Sequence, residues 1–109
     1  MATIEDFSRI DLRVGKIVGV EEIEKARGPL YRLSVDLGGE LGTRTIVAGI
    51  KNQYTKDLLM DKKIVCIVNL DPKTVAGVES QGMLLAAGEG EAIAILVPDK
   101  EIAEGSKVH

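Results

Sequence analysis

The chain has 109 residues, enough for one domain with its own hydrophobic core. It holds one Phe, two Tyr and no Trp, so this core must be built from Val, Ile, Leu and Ala. The net charge of −3 and the single Cys exclude a strongly basic nucleic-acid binder and an internal disulfide.

The N-terminal part of the chain predicts a capped helical turn followed by a long strand. Thr3 is suited to a helix N-cap, with Glu5 and Asp6 in the first turn. A period of two then begins, which predicts a strand with one apolar face. The residues expected on this face are Ile10, Leu12, Val14, Val18 and Val20. Gly15 and Gly19 interrupt the strand at positions suited to bulges or strong bending.

A hairpin is predicted next. After the loop Lys25–Pro29, apolar and polar side chains alternate from Tyr31 to Leu37, as in a half-buried strand. Gly38-Gly39 ends this strand, and a short polar loop leads to the next strand, Thr43–Ala48.

The second half of the chain predicts one helix and three apolar strands. The helix is Thr55–Met60, and the strand after it, Ile64–Val68, is apolar on both faces. Such a strand is either buried twice or covered by a partner subunit. Beyond the Asp71-Pro72 turn, Met83–Ala87 and Ile93–Val97 are further apolar strands. Exposed apolar strands are aggregation hazards unless a partner covers them, which predicts a homodimer.

The order of these elements predicts an all-β protein. Residues 1–109 are expected to form a single OB-fold domain, a five-stranded barrel with a short inserted helix and an N-terminal helical turn. The helix between the third and fourth strands favours the OB-fold over other small barrels and sandwiches.

No set of residues suited to catalysis or metal binding is present, which predicts a protein that is not an enzyme and needs no cofactor. The only histidine is His109, at a chain end where termini are usually mobile. Ser80 lies in Gly-Val-Glu-Ser-Gln-Gly, which is not the nucleophile elbow. A Cys and His cluster with metal-ligand spacing is absent from the sequence.

Membrane association is not expected. The segment Met1–Asp6 lacks the basic and apolar regions of a signal peptide. The longest apolar run, Ala92–Val97, is far too short to span a bilayer. These features predict a cytoplasmic protein with no membrane partner.

The uneven distribution of charge leaves RNA binding open. Residues 41–78 carry six basic and three acidic side chains, whereas residues 79–109 carry two basic and six acidic ones. Arg32, Arg44 and Lys73 could converge on one barrel face, and ordinary solvated charges are the alternative interpretation. With so few aromatic residues, recognition would use backbone contacts and the shape of a folded RNA rather than base stacking.

The segment Ser80-Gln81-Gly82-Met83 supplies a hydroxyl, an amide and a thioether at the mouth of an apolar strand. Ser and Gln hydrogen-bond to phosphate, ribose or base edges. Met83 could contact a base or fill the core. A turn followed by a core methionine explains the same residues without any RNA.

Three blocks of the chain resemble the tRNA-binding domain family: Ile10–Ile17, Asp36–Gly39 and Val78–Ala87, the last extended upstream through Asn69–Lys73. This family includes stand-alone tRNA-binding proteins, the C-terminal appendage of methionyl-tRNA synthetases and the chaperone CsaA. The resemblance implies an OB-fold barrel, a two-fold homodimer and binding to the outer shape of tRNA. It also implies a non-catalytic accessory role, with an aminoacyl-tRNA synthetase as a possible partner. In the family, the residues that match Ser80 and Met83 belong to the RNA-contacting surface.

The first loop differs from most of this family. Ala26-Arg27-Gly28-Pro29-Leu30-Tyr31 lacks the His of the pattern His-Pro-x-Ala-x-Lys-Leu and resembles the loop of CsaA instead. Arg27, beside Lys25, is then the basic candidate in this loop. A CsaA-like chaperone that binds unfolded or exported polypeptides is the alternative function. The residues predicted to bind RNA are Arg27, Arg32, Arg44, Asn69, Lys73, Ser80, Gln81 and Met83.

Overall fold

The computed structural model describes residues 1–24 and 26–109, and Lys25 lies outside the described residues. The described chain consists of short strands and three short helices. They are α1 Ile4–Ser8, β1 Leu12–Glu22, β2 Tyr31–Asp36, α2 Gly38–Leu41, β3 Thr43–Ala48, α3 Lys56–Leu59, β4 Lys63–Ile67, β5 Lys73–Val75, β6 Val78–Ser80, β7 Met83–Leu84, β8 Ala86–Glu89, β9 Ala92–Ile95 and β10 Lys107–Val108.

Five antiparallel strands form a nearly closed barrel in the order β3–β2–β1–β4–β7. The long strand β1 pairs with β4 along its first half and with β2 along its second half. The two end strands, β3 and β7, approach each other through residues 80–82. This confirms the all-β, OB-like fold with an N-terminal helical turn and a helix between the third and fourth strands.

Both predicted helices are present and capped. Thr3 accepts a hydrogen bond from the Asp6 N–H at 3.2 Å, and the Asp6 carboxylate accepts one from the Thr3 N–H at 3.0 Å. In α3 the N-cap is Thr55, and the helix is one residue shorter at each end than predicted. Leu59 of α3 is fully buried and packs into the core, so packing stabilises a helix too short to form alone.

The apolar face predicted for the first strand is wrong in part. Within β1, Gly15 lies opposite the core residue Ile64, whereas Val14 lies opposite Val65 on the outer face. The register against β2 shifts between Ile17 and Gly19, as the predicted bulge requires. Because the extra residue reverses the alternation, inward-facing positions are odd before the bulge and even after it.

The outer positions of β1 are nevertheless buried, because the C-terminal segment covers them. Leu12 and Val14 are less than 10% exposed but do not belong to the core cluster. Val14 exchanges backbone hydrogen bonds with Gly105 and Ser106, at 2.7 and 2.9 Å, and β10 pairs with β1. Lys107 and Val108 are therefore paired with β1, whereas the mobility expected for the terminal His109 stays a prediction.

The core is aliphatic, as the composition predicted. Its fully buried side chains are Ile17, Leu33, Val35, Leu37, Ile46, Leu59, Ile64 and Cys66. Tyr31 is buried at one end and donates a hydrogen bond to the Tyr54 carbonyl at 3.0 Å. The Tyr54 hydroxyl in turn accepts one from the Ile95 N–H at 3.0 Å, which links β9 to the barrel.

Two parts of the C-terminal half differ from the prediction. The expected strand Met83–Ala87 is divided into β7 and β8 at Leu85, whose N–H bonds the Val65 carbonyl at 3.0 Å. The β5–β6 hairpin falls where a turn and a loop were expected. Across residues 1–24 and 26–109, no helix is long and apolar enough to cross a bilayer.

Gly82 lies where the chain passes from the hairpin into β7. It has a φ of +144°, and a Cβ atom there would lie 2.7 Å from the Ile67 carbonyl oxygen. A side chain would therefore collide with backbone and also strain its own backbone.

We expect Gly82→Ala to destabilise the protein by at least about 2 kcal/mol, from backbone strain and overpacking together. The matched control is Gly39→Ala, because Gly39 has no positive φ and no atom lies within 4 Å of where its Cβ would be. That control should be neutral or stabilising by about 0.5 kcal/mol. Urea unfolding of the two variants and the parent measures the difference. Equal stability of the two variants would contradict the close contact at Gly82.

Candidate nucleic-acid interface

The β5–β6 hairpin lies against the outer face of β2 and β3. Lys73 pairs with Ser80 at its base, and Val75 pairs with Val78 at its tip. The two turn residues, Ala76 and Gly77, have φ values of +50° and +81°, as in a tight two-residue hairpin turn. In OB-folds the face of the second and third strands, between the loops that flank it, is the usual site for oligonucleotides. The hairpin is part of one of these flanking connections.

Ser80 is buried, and its hydroxyl joins the hairpin to the barrel. It is 7% exposed, accepts a hydrogen bond from the Val47 N–H at 3.0 Å and donates one to the Gly82 carbonyl at 3.1 Å. Both bonds are internal, so the hydroxyl is committed to the fold. The hydroxyl connects β6 to the edge of β3, and the RNA contact predicted for Ser80 stays a prediction.

Gln81 continues this connection with its side chain and its backbone. Its Oε1 accepts a hydrogen bond from the Thr45 N–H at 3.0 Å, and its N–H donates one to the Thr45 carbonyl at 2.8 Å. The side-chain amide thus replaces a backbone carbonyl in a short ladder beside β3. Within the described chain, Gln81 Nε2 makes no hydrogen bond, and the residue is half-buried.

Arg32 lies next to the hairpin on the outer face of β2. Its side chain is exposed and lines a cleft of about 330 Å³ with Thr45, Gly77, Val78, Glu79 and Gln81. A second cleft on the other side of Arg32 is lined by the hairpin tip and by Glu21, Glu22, Ile23 and Glu24. Arg32 therefore faces the hairpin between acidic neighbours.

Arg44 is not on the same face as Arg32. Arg44 lies directly opposite the core residue Val35, so its side chain leaves the sheet on the inner face. Arg32 lies opposite Val47, and this pair is on the outer face. The Nη1 of Arg44 donates a hydrogen bond to the Val68 carbonyl at 2.5 Å. The basic residues predicted to converge on one face are therefore divided between two sides of the β2–β3 sheet.

Asn69 connects the end of β4 to the N-terminal segment. Its Oδ1 accepts a hydrogen bond from the Asp11 N–H at 2.8 Å, and its Nδ2 donates one to the Arg9 carbonyl at 2.8 Å. Asp11 is also hydrogen-bonded to Arg13 at 2.7 Å, which lowers the pKa of its carboxyl. The Asn69 amide is thus occupied by backbone groups.

Met83 is exposed rather than part of the core. It is 46% exposed and lies opposite Ile67, which in turn lies opposite Leu12 on the outer face of β1. The alternative interpretation of a core methionine is therefore wrong. Met83 belongs to an apolar row across β1, β4 and β7, away from the Arg32 face.

Ion pairs neutralise part of the basic central segment. Lys63 donates one hydrogen bond to Glu101 and one to the Ile102 carbonyl, and it lies 3.3 Å from Glu104; the two carboxylates raise its pKa. Lys51 lies 2.5 Å from Glu22, whose pKa this hydrogen bond lowers. In the part of the chain that the structure describes, Arg27 of the loop before β2, Arg32 of β2 and Lys73 of the hairpin form no ion pair.

The described residues hold no group of three or more His, Cys, Asp or Glu side chains placed to bind a metal ion. The one thiol, Cys66, is buried, and burial raises its pKa to about 12. A thiol in this state stays protonated and is a poor nucleophile.

Sequence reasoning missed the hairpin and with it the cleft. Val75-Ala76-Gly77-Val78 places a small residue and a glycine between two β-branched residues, which is a two-residue hairpin signal. Thr45, Gly77 and Val78 line the cleft but carry no charge or motif that would have marked them.

The fold and this polar cleft define an OB-type binding domain, and comparison with known proteins shows its family. Residues 12–107 match the tRNA-binding domain family. The chain is 53% identical over 106 residues to the methionine–tRNA ligase of Pyrococcus furiosus, covering 97% of the chain and 14% of the ligase. The chain belongs to the tRNA-binding domain family. It spans about one seventh of the length of the ligases that it matches.

Solved structures show the same relationship. The CsaA chaperone protein of Picrophilus torridus is 38% identical, with a TM-score of 0.93 and full coverage of both chains. A MetRS related protein of Pyrococcus horikoshii is 34% identical, with a TM-score of 0.89 over 100% of this chain and 98% of its own. The resemblance to the methionyl-tRNA synthetase appendage and to CsaA is confirmed.

We expect Ser80→Ala to lower the free energy of unfolding by about 1–2 kcal/mol, because the Val47 N–H loses its acceptor. Ser8→Ala is the control, since the Ser8 hydroxyl bonds only the Glu5 carbonyl at an exposed helix end, and it should cost less than about 0.5 kcal/mol. Thermal unfolding measures both. An unchanged melting temperature for Ser80→Ala, combined with weaker RNA binding, would show a direct contact instead.

Proposed function

We propose that this protein is a non-catalytic, structure-specific tRNA-binding protein that acts as an accessory to methionyl-tRNA synthetase. The observation that carries the proposal is the match of residues 12–107 to the tRNA-binding domain family, with methionine–tRNA ligases among the relatives, one of them at 53% identity. Those ligases are about seven times longer than the matched segment, so the similarity covers one domain-sized part of each ligase and supports an accessory role.

The binding face proposed is the outer surface of β2 and β3 together with the β5–β6 hairpin. Arg32 and Lys73 would contact phosphates, and Arg27 in the preceding loop would extend the contact. Ser80 would act by holding the hairpin in place rather than by touching RNA. Arg44, Asn69 and Met83 remain predicted RNA-binding residues from the sequence, but their positions favour roles elsewhere.

Recognition would depend on the shape of tRNA. Tyr31 is buried and Phe7 lies on α1, so neither offers a stacking platform on the proposed face. Without such platforms, contacts to phosphate and ribose across a folded RNA are the mode available. Since tRNA and its synthetases work there, the cytoplasm is the compartment we propose.

We expect Arg32→Ala to weaken binding to total tRNA and to flatten the salt dependence by about one unit of log affinity per log salt. Lys100→Ala, at an exposed position outside the proposed face, should leave both the affinity and the slope within error. Titrations at several salt concentrations measure both quantities. With about three phosphate contacts, a fourfold rise in salt should weaken the parent by roughly 20- to 40-fold. Binding that is independent of salt, or equal loss in the two variants, would contradict this face.

We propose a homodimer on the basis of an exposed apolar surface around α1 and β10, away from the β2–β3 face. No residue of α1 is buried, and Ile4 and Phe7 are 75% and 44% exposed. These side chains form an apolar groove with Ile10 and Val108. Val108 lies opposite the buried Leu12 on β1, and Ile67 and the exposed Met83 continue the same outer face on β4 and β7. A second copy seated on this surface would cover apolar area that water otherwise contacts.

Phe7→Glu should convert the dimer into a monomer without unfolding it, because Phe7 is outside the core and a charge in an apolar interface is unfavourable. Leu58→Glu is the control, since Leu58 is 58% exposed on α3. Sedimentation at micromolar concentration should give a dimer for the parent and for Leu58→Glu. A monomeric parent would refute the proposal, as would a Phe7→Glu variant that remains dimeric.

The second candidate function is a chaperone. The likeness to the CsaA chaperone protein, at 38% identity over the whole chain, favours it. The α1 groove would then hold apolar segments of unfolded polypeptides. Suppression of the aggregation of a denatured test protein, lost in Phe7→Glu and unaffected by added tRNA, distinguishes this function from tRNA binding.

A further inference from the structure

We propose that the cleft between the β5–β6 hairpin and the β2–β3 face, here named the hairpin cleft, holds a single unpaired nucleotide of the bound RNA. Its lining residues are Arg32, Thr45, Gly77, Val78, Glu79 and Gln81. The inference rests on the proposed tRNA-binding function and adds to it a specific subsite for one base. Its volume of about 330 Å³ is at the small end of the range for ligand pockets.

The donors in the hairpin cleft are held in place before any ligand arrives. The Oε1 atom of Gln81 is fixed by the Thr45 N–H at 3.0 Å, and the backbone N–H of Gln81 is fixed by the Thr45 carbonyl at 2.8 Å. The Nε2 group of the same amide is thereby oriented while it retains both of its hydrogens for a ligand. A donor with a fixed orientation loses little conformational entropy when it binds.

The opposite wall is apolar and can approach a ligand closely. Gly77 has no side chain, and no atom lies within 4 Å of where its Cβ would be. Val78 is half-buried beside it.

The mixture of groups fits a nucleotide better than a free phosphate. Glu79 in the cleft wall and the acidic residues beyond Arg32 would repel a phosphate that entered alone. A neutral, planar base tolerates these carboxylates, packs on the apolar wall and presents acceptors to Gln81 Nε2. Its phosphate would stay at the rim with Arg32. Unpaired bases are also the parts of an RNA that proteins read most readily.

Gln81→Glu tests the subsite because the replacement keeps an oxygen for the Thr45 N–H and removes only the Nε2 donor. The added negative charge needs a control, and Asn52→Asp makes the same amide-to-acid change in an exposed turn outside the cleft. Binding to total tRNA is measured for the parent and both variants at low and high salt. We expect Gln81→Glu to bind about tenfold more weakly than Asn52→Asp. This gap should persist at high salt, because screening removes only the general charge effect.

The side-chain amide of Gln81 also gives a direct signal in a proton–nitrogen correlation spectrum, where its absence from Gln81→Glu assigns it. The probes are the 5′-monophosphates of adenosine, guanosine, cytidine and uridine, with inorganic phosphate as the comparison. We expect the Gln81 amide to shift with at least one nucleotide and not with phosphate. Equal shifts with phosphate, no shift with any nucleotide, or equal tRNA affinities for the two variants would overturn the subsite.

Failure of the proposed tRNA-binding function and failure of the nucleotide subsite would give different results. If the parent does not bind tRNA, the proposed function fails, and the nucleotide titration still decides whether the cleft takes a base. If the parent binds tRNA and Gln81→Glu matches Asn52→Asp at both salt concentrations, only the hairpin cleft is refuted.

Discussion

Closure of the barrel between β3 and β7 is the constraint on which the rest of the structure depends. The two end strands do not share a regular backbone ladder, and residues 80–82 join them instead. Ser80 and Gln81 satisfy the N–H groups of Val47 and Thr45 with side-chain oxygens. The chain at Gly82 then runs so close to β4 that a Cβ atom there would lie 2.7 Å from the Ile67 carbonyl oxygen. Unpaired backbone groups in a half-buried edge are costly, so this junction defines where the hairpin leaves the barrel.

Two outer surfaces with different chemistry follow from this arrangement. On the β2–β3 side, the hairpin stands over a polar face and creates a cleft with oriented donors. On the β1–β4–β7 side, Ile67 and Met83 continue an apolar surface that reaches α1. Successive side chains of a strand point to opposite faces of the sheet. Each strand therefore contributes one set of alternate residues to the core and the other set to an outer surface. The face proposed for RNA and the face proposed for the dimer therefore consist of different residues.

Local patterns in the sequence were sufficient for much of the fold. The alternation from Tyr31 to Leu37 and the capping residues Thr3 and Thr55 gave correct elements, because both signals depend on near neighbours. Burial by distant segments could not be predicted. Val14 is covered by residues about ninety positions later, and Ser80 is buried by contact with β3. The candidate site was predicted by residue type, whereas its geometry depended on which strand faces were inward. This is why Arg32 and Gln81 lie together while Arg44 does not.

The buried thiol has a practical consequence for studying this molecule in solution. Cys66 lies on β4, opposite Leu84 of β7, and is the only cysteine in the chain. With its side chain inaccessible and its pKa raised to about 12, it can be alkylated only when the strands around it separate. The rate of alkylation therefore measures how often β4 and β7 separate, next to residues 80–82, where the barrel closes. Cys66 is thus a native probe of local unfolding. A second cysteine introduced on the surface could be labelled while Cys66 stays unmodified.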